Sequence, residues 1–360
     1  MTLAPLRRSV FWTAAAVLVL VPAFAAAQKK EEKKLEEAQQ KEIQGLVKLV
    51  DAAAAGQPAP ADFPIQFQND FLKAQEGRTY VPFTLTIDQT KLPPQPVAMY
   101  VRVVSRGAAA ATPPPAEKDK KKDDKDKKDD KASQFPFEDV HFLDLKATEG
   151  QPIRVSRALS VPGGDYDVYI AMKERAPSGD NKDNKNAPSQ KTSVLKQPIT
   201  VPNYWNNELN TSTLIIADKV EQLSAPVENA QTERPYVLGN MEIQPAADSK
   251  FGKKEELQLL LLIYNAGVGS EGKPDIEVEY TFHQKAAEGE KYFNKTEPQK
   301  FNAQTLPPTF DVKAGHQVVA GQGIPLTIFP EGDYRLEIKV IDKIAGKSLT
   351  REASFTVVGS

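Results

Sequence analysis

Two stretches far apart in this chain follow one pattern, and that pattern restricts the fold more than any bulk property does. They are Pro162-Gly163-Gly164-Asp165-Tyr166-Asp167-Val168-Tyr169-Ile170 and Pro330-Glu331-Gly332-Asp333-Tyr334-Arg335-Leu336-Glu337-Ile338. Each runs Pro-x-Gly-Asp-Tyr and then enters an alternating strand. Proline and glycine turn the chain between strands. The tyrosine opens the next strand, buries its ring and sends its hydroxyl back to the corner. Aspartate at such a place is a turn former, so Asp165 and Asp333 are not read as catalytic acids. Two equivalent corners imply two units of one β architecture.

The flanking sequence supplies the strands. Val81, Phe83, Leu85 and Ile87 alternate with Pro82, Thr84 and Thr86 at period 2. Pro82 has no N–H for the ladder, which predicts a strand start or an edge there. Val97, Met99, Val101 and Val103 alternate likewise, and 140–145, 153–159, 166–172 and 194–201 add short strands. In the second half, Leu257 to Tyr264 is almost continuously apolar, as in a strand buried on both faces. Ile276, Val278, Tyr280 and Phe282, and then Tyr334, Leu336, Ile338 and Val340, form alternating strands with one core face. Ala353, Phe355 and Val357 close the unit.

Only one stretch reads as helix. Leu35, Ile43, Leu46, Val47 and Val50 share a face between Gln28 and Gly56, too few for a coiled coil, so a solvated leader helix docking weakly on the first unit is expected. Gly56, Pro58 and Pro60 mark a linker. Between Glu117 and Lys131 stand eight lysines and seven acids without an apolar residue. Such a segment cannot offset the entropy of ordering and reads as a disordered insertion over 107–134. Asp180 to Asn186 lacks the alternating oxygen ligands, glycine and distal acid of a calcium loop, and reads as a solvated loop tip. The division is then 1–27 signal peptide, 28–61 helical leader and linker, 62–203 first sandwich, 204–235 linker and 236–358 second sandwich.

The chain thus reads as all-β: two tandem immunoglobulin-like β-sandwiches with a short N-terminal helix and disordered insertions. The two corners resemble the tyrosine corner of immunoglobulin-like and fibronectin-like sandwiches. The C-terminal half also resembles the β-sandwich of secreted bacterial proteins that carry the GWxTD domain. The stretches that carry this are Leu257 to Asn265, Pro330 to Asp342, Ala345-Gly346-Lys347 and Phe355-Thr356-Val357, with Leu209 to Asp218 ahead of them. The Gly-Trp-x-Thr-Asp motif itself is absent: Trp205 stands in Asn-Tyr-Trp-Asn-Asn, and Trp12 lies in the leader. The resemblance implies an extracytoplasmic bacterial sandwich and no particular activity.

Export is independently expected. Arg7 and Arg8 precede an apolar run from Val10 to Phe24, and Ala25-Ala26-Ala27 offers small residues for cleavage before Gln28. The run falls slightly short of the roughly 20 residues of a spanning helix, and nothing later approaches that length. Removing the leader moves the formal charge from −2 to −4, which gives no attraction to nucleic acid. The chain has no cysteine, so disulfides, thiol nucleophiles and Cys-ligated zinc are excluded.

No catalytic, cofactor-binding or metal-ligating residue is assigned. His141, His283 and His316 have no metal-pair spacing. No Gly-x-Ser-x-Gly elbow occurs, and Gly321-Gln322-Gly323 leads into a strand rather than a phosphate-binding helix. Tyr204-Trp205 at the domain boundary reads as interdomain packing, with a sugar-stacking platform as the rival. The expected role is a non-enzymatic, periplasmic or extracellular protein that binds or supports another protein or cell-envelope component. A secreted hydrolase with a carboxylate pair and a carbohydrate-binding module are the alternatives.

Overall fold

A computed structural model describes residues 21–107, 134–175, 189–225, 227, 233–312 and 314–359, with side chains from Glu37 onward. Most of the leader, the charged insertion and the Asp180–Asn186 loop lie outside the described residues.

Helix α1 spans Val21–Ala54, a run rich in Ala, Lys, Glu, Gln and Leu, all strong helix formers. It ends in a Schellman arrangement. Gly56 adopts φ +79°, its N–H donates to the Ala53 carbonyl at 3.0 Å, and Gln57 N–H donates to Ala52 at 2.9 Å. Leu46 and Val50 are fully buried against Ala98, Tyr100, Tyr169 and Ala171 on the outer face of the first sandwich. The Asp51 carboxylate pairs with Arg102, whose guanidinium lies 4.0 Å from the Phe135 ring centroid. Glu42 pairs with Arg175 at 3.1 Å. The docking is therefore firmer than the sequence suggested. Small Ala98 and Ala171 leave a recess on the sheet that only the folded strands create.

Among the described residues, eight strands build the first sandwich: β1 (Ile65–Asn69), β2 (Leu72–Lys73), β3 (Arg78–Ile87), β4 (Pro96–Ser105), β5 (Phe137–Asp144), β6 (Ile153–Pro162), β7 (Gly164–Glu174) and β8 (Thr192–Val201). One sheet places β3 between β6 and the β1–β2 pair; the other runs β5-β4-β7-β8. Val81, Phe83, Leu85 and Ile87 meet Val97, Met99, Val101 and Val103 in a single core. Pro82 departs from expectation, because it sits inside the central strand β3. Its missing donor is accommodated where β1 gives way to β2: Asp70 faces Pro82, and only the Asp70 N–H bonds across, to the Pro82 carbonyl at 3.0 Å.

The second sandwich uses β9 (Asn210–Thr211), β10 (Ile215–Gln222), β11 (Val237–Leu238), β12 (Met241–Pro245), β13 (Lys250–Gly252), β14 (Glu256–Tyr264), β15 (Ile276–Ala286), β16 (Gly289–Lys295), β17 (Gln299–Phe301), β18 (Val318–Pro325), β19 (Gly332–Asp342) and β20 (Lys347–Val358). Its sheets run β11-β12-β10-β14-β18 and β13-β20-β19-β15-β16, and β13 joins β20 in parallel. Residues 210–211 and 215–222, within the stretch read as linker, are strands of this sandwich. The all-β expectation of two sandwiches holds.

Both corners close as their sequence implies. The Tyr166 hydroxyl donates to the Pro162 carbonyl at 3.0 Å, and Tyr334 donates to Pro330 at 2.7 Å. Gly332 sits at φ +140°, a conformation that side chains disfavour. The repeat extends one strand further than the corner itself. Asp165 accepts from the Thr200 hydroxyl, and Asp333 accepts from Thr356, each at 2.6 Å. Thr200-Val201 and Thr356-Val357 are thus equivalent, and both aspartates are occupied within the fold.

Candidate functional site at the junction of the sandwiches

Strand β14 explains where the two units meet. Leu257, Leu259, Leu261 and Ile263 enter the second core, while Leu260, Leu262 and Tyr264 point the other way. That opposite face packs with Ile215, Ala217, Tyr236 and Ile243 against Phe71, Leu72 and Tyr80 of the first sandwich. The continuous apolar run was legible; its second covering layer is the other sandwich.

Four tyrosine hydroxyls cross this boundary. Tyr80 donates to the Pro235 carbonyl at 3.0 Å, and Tyr204 donates to Phe71 at 3.2 Å. Tyr264 accepts from the Lys73 N–H at 3.1 Å, and Tyr236 donates to the Asp70 carboxylate at 2.9 Å. Burial pushes all four phenols above their usual range, so all stay protonated and neutral. Thr213 pairs reciprocally with Phe71: its N–H donates to the Phe71 carbonyl at 3.1 Å, and its hydroxyl accepts from Phe71 N–H at 3.0 Å. The same hydroxyl donates to Asp70 at 2.8 Å.

Asp70 is the buried carboxylate at the centre, 7% exposed. Burial raises its pKa, and the hydrogen bonds from Thr213 and Tyr236 oppose that rise. Sequence reasoning missed it, since Asp70 lies in an unremarkable Asn-Asp-Phe. Its one available signal was Pro82, whose partner strand must break.

Beside the junction lies a cleft of about 350 Å³ lined by Arg154, Lys219, Glu221, Arg234, Tyr236 and Glu242, among others. Most of its charges are paired, Glu233 being the exception, for which no ion pair is seen among the described residues. Arg234 grips Glu242 with two nitrogens, which holds that carboxyl below its usual range. Lys219 pairs with Glu221. Arg154 donates to the Pro245 carbonyl at 2.9 Å and stands 3.9 Å from Asp218. A general acid needs a raised pKa and access to substrate. Glu242 has the opposite shift, and Asp70 is sealed behind Tyr236.

The other sequence candidates are dispersed. His141 on β5 lies 3.3 Å from Asp139, and burial lowers its pKa. His283 on β15 meets the Tyr292 ring edge-on. His316 Nδ1 accepts from the Asp311 N–H at 3.0 Å in a loop. Among the described residues, no group of three or more His, Asp or Glu side chains is placed to hold a metal ion, and no helix is long and apolar enough to cross a membrane. Gly321 and Gly323 lie within β18. Tyr204 and Trp205 divide. Tyr204 is buried edge-on to Tyr264 at 4.9 Å, as interdomain packing requires. Trp205 is 45% exposed, its indole N–H donates to the Arg78 carbonyl at 3.2 Å, and the Lys73 ammonium lies 4.5 Å from its ring centroid.

No family model matches the chain, and no curated protein matches it. Among solved structures, an immunoglobulin-like protein of Pseudomonas aeruginosa aligns at 14% identity over 40% of this chain and 96% of that one, with a TM-score of 0.20. Escherichia coli alpha-2-macroglobulin activated by porcine elastase aligns at 12% identity over 84% of this chain, with a TM-score of 0.22. The chain spans about a quarter of that protein, 24% of its length. The architecture rests on the strand pairing and the two tyrosine corners: a pair of immunoglobulin-like β-sandwiches joined through a buried, hydrogen-bonded junction.

Proposed function

We propose that this is an exported, non-enzymatic protein whose paired sandwiches act as one stiff unit that binds or supports another envelope or extracellular component. The observation that carries this is the junction. Interfaces between domains of one chain are ordinarily mobile unless large and hydrophobic. Here an apolar sheet face, four tyrosine hydroxyls and the Thr213–Phe71 pair join the two sandwiches. A rigid spacer or platform needs such a joint; a two-domain hydrolase closing on substrate needs a mobile one. Export is supported by the leader, and by the resemblance of the second sandwich to those of secreted GWxTD-domain proteins.

In-cell photocrosslinking from sites on the outer strands, followed by mass spectrometry, tests the role. One recurrent envelope partner, with a mature N-terminus at Gln28, is the expected result. Recovery of the chain with Met1 from the cytoplasm would refute it. The half-exposed, pinned Trp205 favours one second reading, sugar stacking. Binding to a glycan array that is lost in Trp205→Ala would establish it.

A further inference from the structure

We propose that the junction is an acid-tightened joint: it is closed firmly when Asp70 carries a proton and loosens when that proton leaves. This goes beyond the proposed role and does not depend on it. Asp70 sits where the broken β1–β2 strand faces the second sandwich, and its carboxylate accepts from two neutral hydroxyls, Thr213 and Tyr236. Among the described residues, the cations of the surrounding elements are engaged elsewhere; on β6, Arg157 donates to the Ser156 carbonyl and is drawn to Glu233 and Asp139. Lys73 donates to Asn265 at 2.7 Å, Arg78 to Ser160, Arg154 to Pro245, and Arg351 to Asn210 and Thr211 at 2.8 Å. Among the described residues, the other titratable groups beside Asp70 and Tyr236 are Tyr80, Tyr204 and Tyr264, all neutral. An ionised Asp70 is thus a buried charge without a counter-ion, which is costly even when hydrogen-bonded.

The protonated form has a complete set of partners. The Tyr236 hydroxyl lies 2.9 Å from Asp70 Oδ2 and 3.4 Å from the Pro82 carbonyl. A proton on Oδ2 is donated to the Tyr236 oxygen, and the tyrosine proton turns to Pro82. Thr213 continues to donate to Oδ1. Every donor keeps an acceptor, and no charge is buried. Burial raises the Asp70 pKa in the folded chain, whereas the unfolded carboxyl titrates near 3.8. Between those two values the folded state binds more protons, so the stability of the joint falls as pH rises through the folded pKa.

The amides that cross the joint report on it directly: Phe71, Lys73 and Thr213. Hydrogen exchange of the full chain is measured across mildly acidic to neutral pH and expressed as protection factors. For these three amides protection should fall at least tenfold in one transition, while core amides of β4 and β15 hold. Asp70→Asn, which fixes the neutral form, should flatten the profile. Tyr236→Phe removes a partner of both forms, but its charge-assisted bond to the carboxylate is the stronger, so the transition should move to higher pH. In a Trp12→Phe background Trp205 is the sole tryptophan, and its emission should follow the same profile. A flat profile in the unaltered chain, an unchanged profile in Asp70→Asn, or a move to lower pH in Tyr236→Phe would each overturn the proposal. Should Asp70→Asn fail to fold, the direction of the Tyr236→Phe shift decides alone.

Discussion

Replacing Tyr334 with Phe removes one oxygen atom from a corner that otherwise stays packed. The ring is fully buried, stacked on Phe355 at 5.3 Å and edge-on to Phe329 at 5.2 Å, and none of those contacts uses the hydroxyl. What is lost is the 2.7 Å bond to the Pro330 carbonyl. A hydrogen bond of this kind contributes about 1 kcal/mol net. Tyr166→Phe removes the equivalent 3.0 Å bond in the first sandwich and should lose a similar amount. The melting temperature then reports the size of the cooperative unit. A loss of about 1 kcal/mol lowers Tm by about 4–8 °C in a unit of 60–100 residues, and by about 2–4 °C in one of 150–250 residues. Because the closed junction couples the sandwiches, differential scanning calorimetry at acidic pH, where Asp70 is protonated, should show a single transition, lowered by the smaller amount in either variant. The double variant should be additive, since the two corners share no partner. An unchanged Tm would refute the structural role of the corner bond. A loss beyond about 3 kcal/mol would show that the ring, not the hydroxyl, had been disturbed.

Four further outcomes are expected. Leu46→Ala empties part of the recess under α1 and should cost about 2–5 kcal/mol of helix docking, seen as faster proteolysis at the Gly56–Pro60 linker. Gly267→Ala places a Cβ about 3.0 Å from Ile344 and 3.1 Å from the Ala345 nitrogen. It should destabilise the second sandwich by about 1–3 kcal/mol in urea titration, because Asp342 locks that loop by accepting from the Gly267, Ile344 and Ala345 N–H groups. Glu242 is held below its unfolded value by Arg234, so its contribution is complete above about pH 4.5 and is lost as pH falls. In Glu242→Gln that share of the acid sensitivity of unfolding should be missing. Arg102→Met should release the Asp51 end of α1 while leaving the first core intact, read as lost helix protection in hydrogen exchange with unchanged protection in β4.

Much of the fold was legible because its signals are local. Period-2 alternation is set by the geometry of a single strand, so the core faces of β3, β4, β15 and β19 follow from residue order. The Pro-x-Gly-Asp-Tyr corner is equally local, since the tyrosine meets a carbonyl only four residues back. Pro82 shows the limit of such rules. The missing N–H was read correctly, but whether the strand lies centrally or at an edge depends on β6, far along the chain. The recess for α1 was invisible for the same reason: Ala98 and Ala171 become neighbours only when β4 pairs with β7. The adjacent aromatics Tyr204 and Trp205 divided because the first ring meets Tyr264, about 60 residues on, and the second does not.

By itself, then, the sequence determined the all-β class, the two corners, the inward faces of the strands and the doubly apolar character of Leu257 to Tyr264. These depend on periods and turns that neighbouring residues enforce. Only the tertiary structure decided what covers the second face of β14, and with it the meaning of Asp70. A buried carboxylate is defined by what surrounds it. Thr213 and Tyr236 reach Asp70 from 143 and 166 residues further along the chain, once both sandwiches have formed.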